Sequence, residues 1–363
     1  MKLVLHIGGP KCGSTALQAA LAANAKDLRA RGTLIPGTEL DDVSRVGGYQ
    51  LYFFENAARR PDGRAVITRS FSELRAVMQA EHLHTLVVSA ENLIGVINTE
   101  EFPVSSFVDL FADVDTIFEE VRIVAYVRRQ DDFLVSWWQQ RGLLVFPSLE
   151  AFLGASVGRV ARWSEGLKPW EERFGRERMV VRRFQRADLT NGDVVTDFFE
   201  LLNLPLTHIG QIRDNRSYNE HLAELVHRIH DKFNDASTRQ VFKDLEFAIG
   251  SAAFKNYRGS ILLTLQQRQS IMSAYEASNR ELARRYFPSL AADSSPFDPP
   301  HDGDVVAINE MESLRAQQDI LATAIVGLAR RVRSLESESD CPPTQADTKA
   351  RVDRNLLLEN RSE

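Results

Sequence analysis

The segment Gly8-Gly9-Pro10-Lys11-Cys12-Gly13-Ser14-Thr15 places three glycines, a lysine and two hydroxyls within eight positions. Residues of these types can hold an anion. Glycines let the backbone turn tightly and aim its N–H groups inward, and a lysine supplies charge. Arg128 and Arg129 make a basic turn after a strand-like run, with Ser136 in the helix-like segment that follows. Glu91 stands among polar residues at the carboxyl end of another strand-like run. The chemistry expected of the glycine loop is to hold an anion, a phosphate.

The spacing of the loop narrows the choice of phosphate compound. A nucleoside-triphosphate loop reads G-x-x-x-x-G-K-[ST]. Gly8 and Gly13 have that separation, but Ser14 stands where the lysine belongs and Lys11 comes earlier. No second strand end offers a convincing Mg²⁺ ligand: "VVSAEN" carries a glutamate and "AYVRRQ" ends in arginines. Phosphoryl transfer leans on Mg²⁺ to neutralise charge. A sulfonate carries less charge than a terminal phosphate, so protein cations alone can serve its transfer, and no metal is expected.

These residues need elements to position them. Leu3 to Ile7 reads as a short buried strand, and from Ser14 the residues Ala16, Leu17, Ala20 and Leu21 recur at helical spacing. That strand, loop and helix N-terminus form an anion-binding unit. The format repeats. "HTLVVSAEN" gives a strand ending at Glu91, Arg122 to Val127 a strand ending at Arg128, and "RMVVRRF" a further strand followed by a helix over "GDVVTDFFELLNL". Alternation of this kind predicts an α/β fold with a P-loop-like parallel sheet flanked by helices. Ligands in such sheets sit at the carboxyl ends of the strands, the edge shared by Gly8, Ser89 and Arg128. From Tyr218 the pattern predicts a helical C-terminal part. The expected organisation is a main domain over 1–290, a Pro/Asp-rich linker at 291–304, an amphipathic helix at 305–336 and a disordered tail at 337–363. In that helix Met311, Leu314, Gln318, Leu321, Ile325, Leu328, Val332 and Leu335 follow a heptad seam. The seam suits a coiled coil, with self-association through 311–335, or equally a helix packed on its own chain.

Bulk properties set the context. A net charge of −6 over 363 residues gives no general attraction to nucleic acid or anionic membrane, so any basic site is local. Two cysteines make no disulfide framework and fit a reducing compartment. The first strand starts near Met1, and no segment approaches the roughly 20 apolar residues of a membrane span. A cytoplasmic protein is expected.

"GGPKCGSTALQ" resembles the 5′-phosphosulfate loop of the sulfotransferase family, and "VRRQDDFLVSWWQQ" resembles that family's 3′-phosphate motif. Both stand in order and in strand-loop-helix context, and the resemblance covers roughly residues 1–290. "SNRELARRYF" is similar to the closing helix of bacterial carbohydrate-type members. The resemblance implies 3′-phosphoadenosine 5′-phosphosulfate as co-substrate. By it Lys11 would contact the 5′-phosphate and the bridging oxygen, with Gly13, Ser14 and Thr15 also on the 5′-phosphate. Cys12 would be a small filler within that binding loop, and Arg128 and Ser136 would hold the 3′-phosphate. Glu91 would be the catalytic base, with Glu55 in reserve, and His6 a packed core histidine.

The glycine-rich G-x-x-G-x-W-K segment of the family's cytosolic small-molecule branch is missing, which disfavours phenols and steroids. A hydroxyl of a sugar, glycolipid or similar metabolite is the expected acceptor. Phe133, Trp137, Trp138, Tyr52, Phe53 and Phe54 could line its cleft, although helical spacing favours a core role. "RDNRSYN" (Arg213 to Asn219) reads as a polar connecting loop before a nucleotide contact. The alternatives are a divergent Mg²⁺-dependent nucleotide kinase, disfavoured by Ser14, and a non-catalytic nucleotide-binding scaffold.

Overall fold

The computed structural model describes residues 1–46, 50–95, 103–208, 218–229, 238–254, 259–291 and 294–339. Arg213 to Ser217, most of the polar "RDNRSYN" cluster, and the tail from 340 lie outside these.

The β-branched and leucine runs form strands β1 (Lys2–His6), β2 (Thr33–Leu34), β3 (Thr85–Ser89), β4 (Glu120–Val127) and β5 (Met179–Arg183). They make one parallel sheet in the order β2-β3-β1-β4-β5. His6 pairs with Ser89 on one side and Val124 on the other, so the ends of β1, β3 and β4 meet at one edge. Leu3, Val4, Leu5 and His6 are buried consecutively rather than alternately, as expected where helices cover both faces. The fold is thus α/β, as read from the sequence. The two-residue strand β2 was not anticipated, because two residues carry no periodicity.

The chain divides into two compact units. One comprises Met1–Glu220 with Asn256–Ala307, and the other His221–Lys255 with Ile308–Glu363. In the first, α1 (Ser14–Ala30), α2 (Gln130–Trp137) and α3 (Val194–Leu201) follow β1, β4 and β5. Leu17, Ala20 and Leu21 of α1 and Phe198 of α3 bury against Val4, Val87 and Val124 of the sheet. A cluster of rings, Phe54, Phe71, Phe111 and Trp170, packs at centroid distances of 5.2–5.9 Å. The helical stretch ending in "SNRELARRYF" is two helices, Leu265–Ala274 and Glu276–Tyr286, broken at Tyr275. Residues 294–304, within the stretch read as a linker, pack on this unit. Phe297 is buried, Arg183 Nη1 donates to the Pro296 carbonyl at 2.8 Å, and Asp304 pairs with Arg129 at 2.9 Å.

The second unit contains α4 (Glu220–Ile229), α5 (Thr238–Ile249) and α6 (Glu310–Ser339). Asn309 and Glu312 exchange capping hydrogen bonds of 2.9 Å, which starts α6. Gln317, Ile320 and Ala324 of α6 are buried, and Gln317 and Ser313 both donate to Glu224 of α4 at 3.1 Å. Among the described residues, no helix is long and apolar enough to cross a membrane.

Candidate functional site

Leaving β1, the chain keeps one more ladder bond, Ile7 N–H to the Val124 carbonyl at 3.0 Å, and then turns sharply. Gly8 has φ +37°, Lys11 +63° and Gly13 +81°. Two of the three are glycines, for which this geometry is free of Cβ conflict. Lys11 is not, and holding a β-carbon there costs roughly 1–2 kcal/mol. Gly9 is required by close approach, since a Cβ would collide with the Tyr126 carbonyl of β4. At Gly13 a Cβ would lie 2.7 Å from Val194 Cγ1.

Gly13 is the N-cap of α1. No side chain caps the first turn, and no acidic residue sits in it. The exposed N–H groups and the positive dipole end are therefore left for a ligand. Ser14 stands at the first helical position, 3% exposed, with its Oγ buried and unpaired. A buried hydroxyl without a partner is costly, and an anion in the loop would satisfy it. The loop's glycine cradle, unpaired hydroxyl and open helix end fit a phosphate group. Thr15 follows, half-buried. Cys12 is buried, with its Sγ 3.6 Å from the Pro10 carbonyl, and burial pushes its thiol up to about 12. It fills space and stays protonated.

Arg128 and Glu91 both meet this loop. Arg128, just past β4, donates from Nη1 to the Lys11 carbonyl at 2.9 Å. Its guanidinium lies 5.6 Å from the Phe184 ring, and its own carbonyl accepts from Trp163 Nε1 at 2.8 Å. Glu91, just past β3, accepts from the Lys11 N–H through Oε1 at 3.4 Å. Ala90 N–H donates to the His6 carbonyl and Asn92 N–H to the Gly8 carbonyl, both at 2.9 Å, which ties the two loops together. Lys11, Glu91 and Arg128 are thus joined through the Lys11 peptide.

Arg129 is committed differently. It pairs with Asp131 at 2.7 Å and with Asp304. Arg268, 2% exposed, bonds both Asp131 and Asp132. Burial alone would raise the Asp132 carboxyl, but the charges of Arg128, Arg129 and Arg268 hold it below its ordinary value. Ser136 lies on the second turn of α2, half-buried, and no described hydrogen bond joins it to Arg128.

Beside the loop opens a cavity of about 1090 Å³, lined among others by Gly13, Ala16, Arg128, Phe184, Arg186 and His301. Lys11, Glu91 and Ser136 are not among its lining residues. The sequence reading missed Trp163, Phe184, Arg186 and the 297–304 wall. Each joins the site only through chain segments far away in sequence. Phe133, Phe54 and Trp138 are buried in the core, while Tyr52 is 61% exposed. Glu55 lies half-buried on the helix Leu51–Ala58. His6 is fully buried, with Nδ1 2.8 Å from Ser89 Oγ, and burial drives its pKa down to about 3. Among the described residues, no group of three or more His, Cys, Asp or Glu side chains is placed to hold a metal ion.

Comparison with known proteins adds little beyond this geometry. No protein-family model matches the chain. An uncharacterized protein of Archaeoglobus fulgidus is 30% identical over 173 residues, which is 46% of this chain and 46% of that protein. The chain thus matches less than half the length of that curated relative. Among solved structures, one described as a sulfotransferase from Alicyclobacillus acidocaldarius is similar at a TM-score of 0.34 and 14% identity. The similarity covers 63% of this chain and 91% of that one.

Proposed function

We propose that the protein transfers the sulfonate of 3′-phosphoadenosine 5′-phosphosulfate to a hydroxyl of a sugar, glycolipid or similar acceptor. The observation that carries this reading is the junction at the Lys11 peptide. A glycine loop with an open helix end, a strand-end arginine and a strand-end carboxylate converge there from three neighbouring strands. The motif resemblance of residues 8–18 and 127–140 supplies the identity of the donor.

In this reading the loop N–H groups, Ser14 Oγ and Thr15 hold the 5′-phosphate. The cavity beside Gly13 and Arg128 takes the remainder of the nucleotide, with Arg128 on the 3′-phosphate. The bound co-substrate supplies an activated sulfonate. Lys11 offsets the charge that grows on the bridging oxygen as its bond to sulfur breaks. Glu91 takes the proton of the acceptor hydroxyl as the new oxygen–sulfur bond forms, and 3′,5′-adenosine bisphosphate leaves. Ser136 keeps its proposed place near the 3′-phosphate by the motif alone.

Calorimetric titration with 3′,5′-adenosine bisphosphate, and separately with ATP and Mg²⁺, tests the reading. Metal-independent binding of the bisphosphate is expected. Arg128→Ala should weaken it by on the order of 1.5–3 kcal/mol, the loss of one charge-assisted contact. Preference for ATP with Mg²⁺ would replace this reading with a kinase. Binding without any turnover on hydroxylated acceptors would favour a scaffold.

A further inference from the structure

Among the described residues, no side chain of this chain covers the heptad seam of α6 from Met311 to Val332. Gln317, Ile320 and Ala324, one side of the helix, are buried against its own unit. A Cβ at Gly327 would strike the Ala248 carbonyl of α5, and the Arg331 guanidinium lies 5.7 Å from the Phe247 ring on that helix. The adjoining face carries the a and d positions Met311, Leu314, Gln318, Leu321, Ile325, Leu328 and Val332, and all seven are exposed. Ile325 is 67% exposed, and Leu328 and Val332 are each 53%. Phe247 of α5 is also exposed. A continuous apolar stripe of six turns, left open beside a face that is already packed, is an interaction surface.

We infer that this stripe binds a second copy of the chain as a parallel, in-register coiled coil. Two features select that occupant and that direction. Gln318 is the single polar a position. In a parallel pair it faces its own equivalent and the two amides can exchange hydrogen bonds. In the antiparallel pair that aligns the same seam it faces Leu328, with no polar partner. Glu310 and Arg315, both exposed, occupy a g position and the following e position. Across a parallel dimer they pair twice, Glu310 with the second copy's Arg315 and the reverse. An antiparallel arrangement would pair Glu310 with Arg331, which is engaged over Phe247.

The inference is independent of the donor-site reading. Sedimentation velocity of the full chain over a wide concentration range should show a dimer. Ile325→Glu should weaken association on the order of a hundredfold, with helicity by circular dichroism unchanged. Charge reversal then tests direction. Glu310→Lys and Arg315→Glu should each weaken the homodimer, and their mixture should form a heterodimer more readily than either self-associates. A wild-type chain that stays monomeric at every concentration overturns the inference, and so does a dimer indifferent to Ile325→Glu. A dimer whose two charge variants gain nothing on mixing overturns the parallel register. A monomer that co-sediments with anionic phospholipid vesicles would assign the stripe to a membrane surface instead.

Discussion

At the residue scale, His6 at the end of β1 ties the stability of the fold to pH. Its ring is enclosed by Tyr126 and Phe198, at centroid distances of 6.0 and 5.6 Å, and it pairs with Ser89. Burial lowers its pKa from 6.5 to about 3, so the folded protein holds the ring neutral where the unfolded chain protonates it. A proton taken up only by the unfolded state favours unfolding. The stability from this group is therefore full above pH 6.5 and falls as pH drops towards 3. Between near pH 7 and near pH 5 the loss should be about 2 kcal/mol from this residue. A His6→Asn variant cannot titrate and should lose that much less over the same interval. Urea midpoints at the two pH values check this, and equal slopes for the two proteins would show that His6 is not the group responsible. The sequence marked His6 as a packed core residue because it sits in an apolar strand. It could not show Ser89 beneath it, 83 residues away in the chain.

At the scale of elements, the N-terminus of α2 is where several segments are locked together. Asp131 is fully buried and pairs with Arg129 and with Arg268 of the helix Leu265–Ala274. Gln130 beside it exchanges hydrogen bonds of 2.7 and 3.1 Å with Asn279 of the next helix. This cluster fixes the start of α2, and with it the turn that carries Arg128. Replacing one partner of a buried ion pair leaves the other short of compensation, a cost that outweighs what the pair itself contributes. Arg268→Met should destabilise the fold by on the order of 3 kcal/mol, read as a lowered denaturant midpoint at unchanged m-value. A shift below about 0.5 kcal/mol, the range of an ordinary surface change, would mean that α2 is held by other contacts. In the sequence Asp131 and Asp132 are two neighbouring acidic residues that suit the dipole of a helix start. Besides the adjacent Arg129, they share Arg268, which lies more than 130 residues away, and no local pattern could reveal it. The same distinction runs through the fold. The strand-loop-helix units at Gly8 and Arg128 are local and were read directly, whereas the cavity wall at 297–304 depends on pairings such as Arg129 with Asp304.

For the whole molecule, the chain passes between its two compact units at Glu220, Asn256 and Ala307. The loop, Glu91, Arg128 and every residue lining the cavity belong to the first unit, and the open heptad stripe belongs to the second. The seam's spacing left two roles open, a coiled coil or a helix packed on its own chain. Which side of α6 its own chain covers was not readable, because burial of Gln317, Ile320 and Ala324 is decided by α4 and α5. This division makes the two proposed functions separable by calorimetry. A ligand that binds only folded protein stabilises the unit that holds it, by about 2.7 kcal/mol at a hundredfold excess over Kd. Saturating 3′,5′-adenosine bisphosphate should therefore raise the thermal transition of the first unit by a few degrees and leave that of the second in place. Ile325→Glu should do the converse, removing the concentration dependence of the second unit's transition without moving the first. A single transition that shifts as a whole under either change would show that the units unfold as one cooperative body. Donor binding and self-association would then draw on one folding equilibrium, and each would promote the other only where unfolded chain is populated.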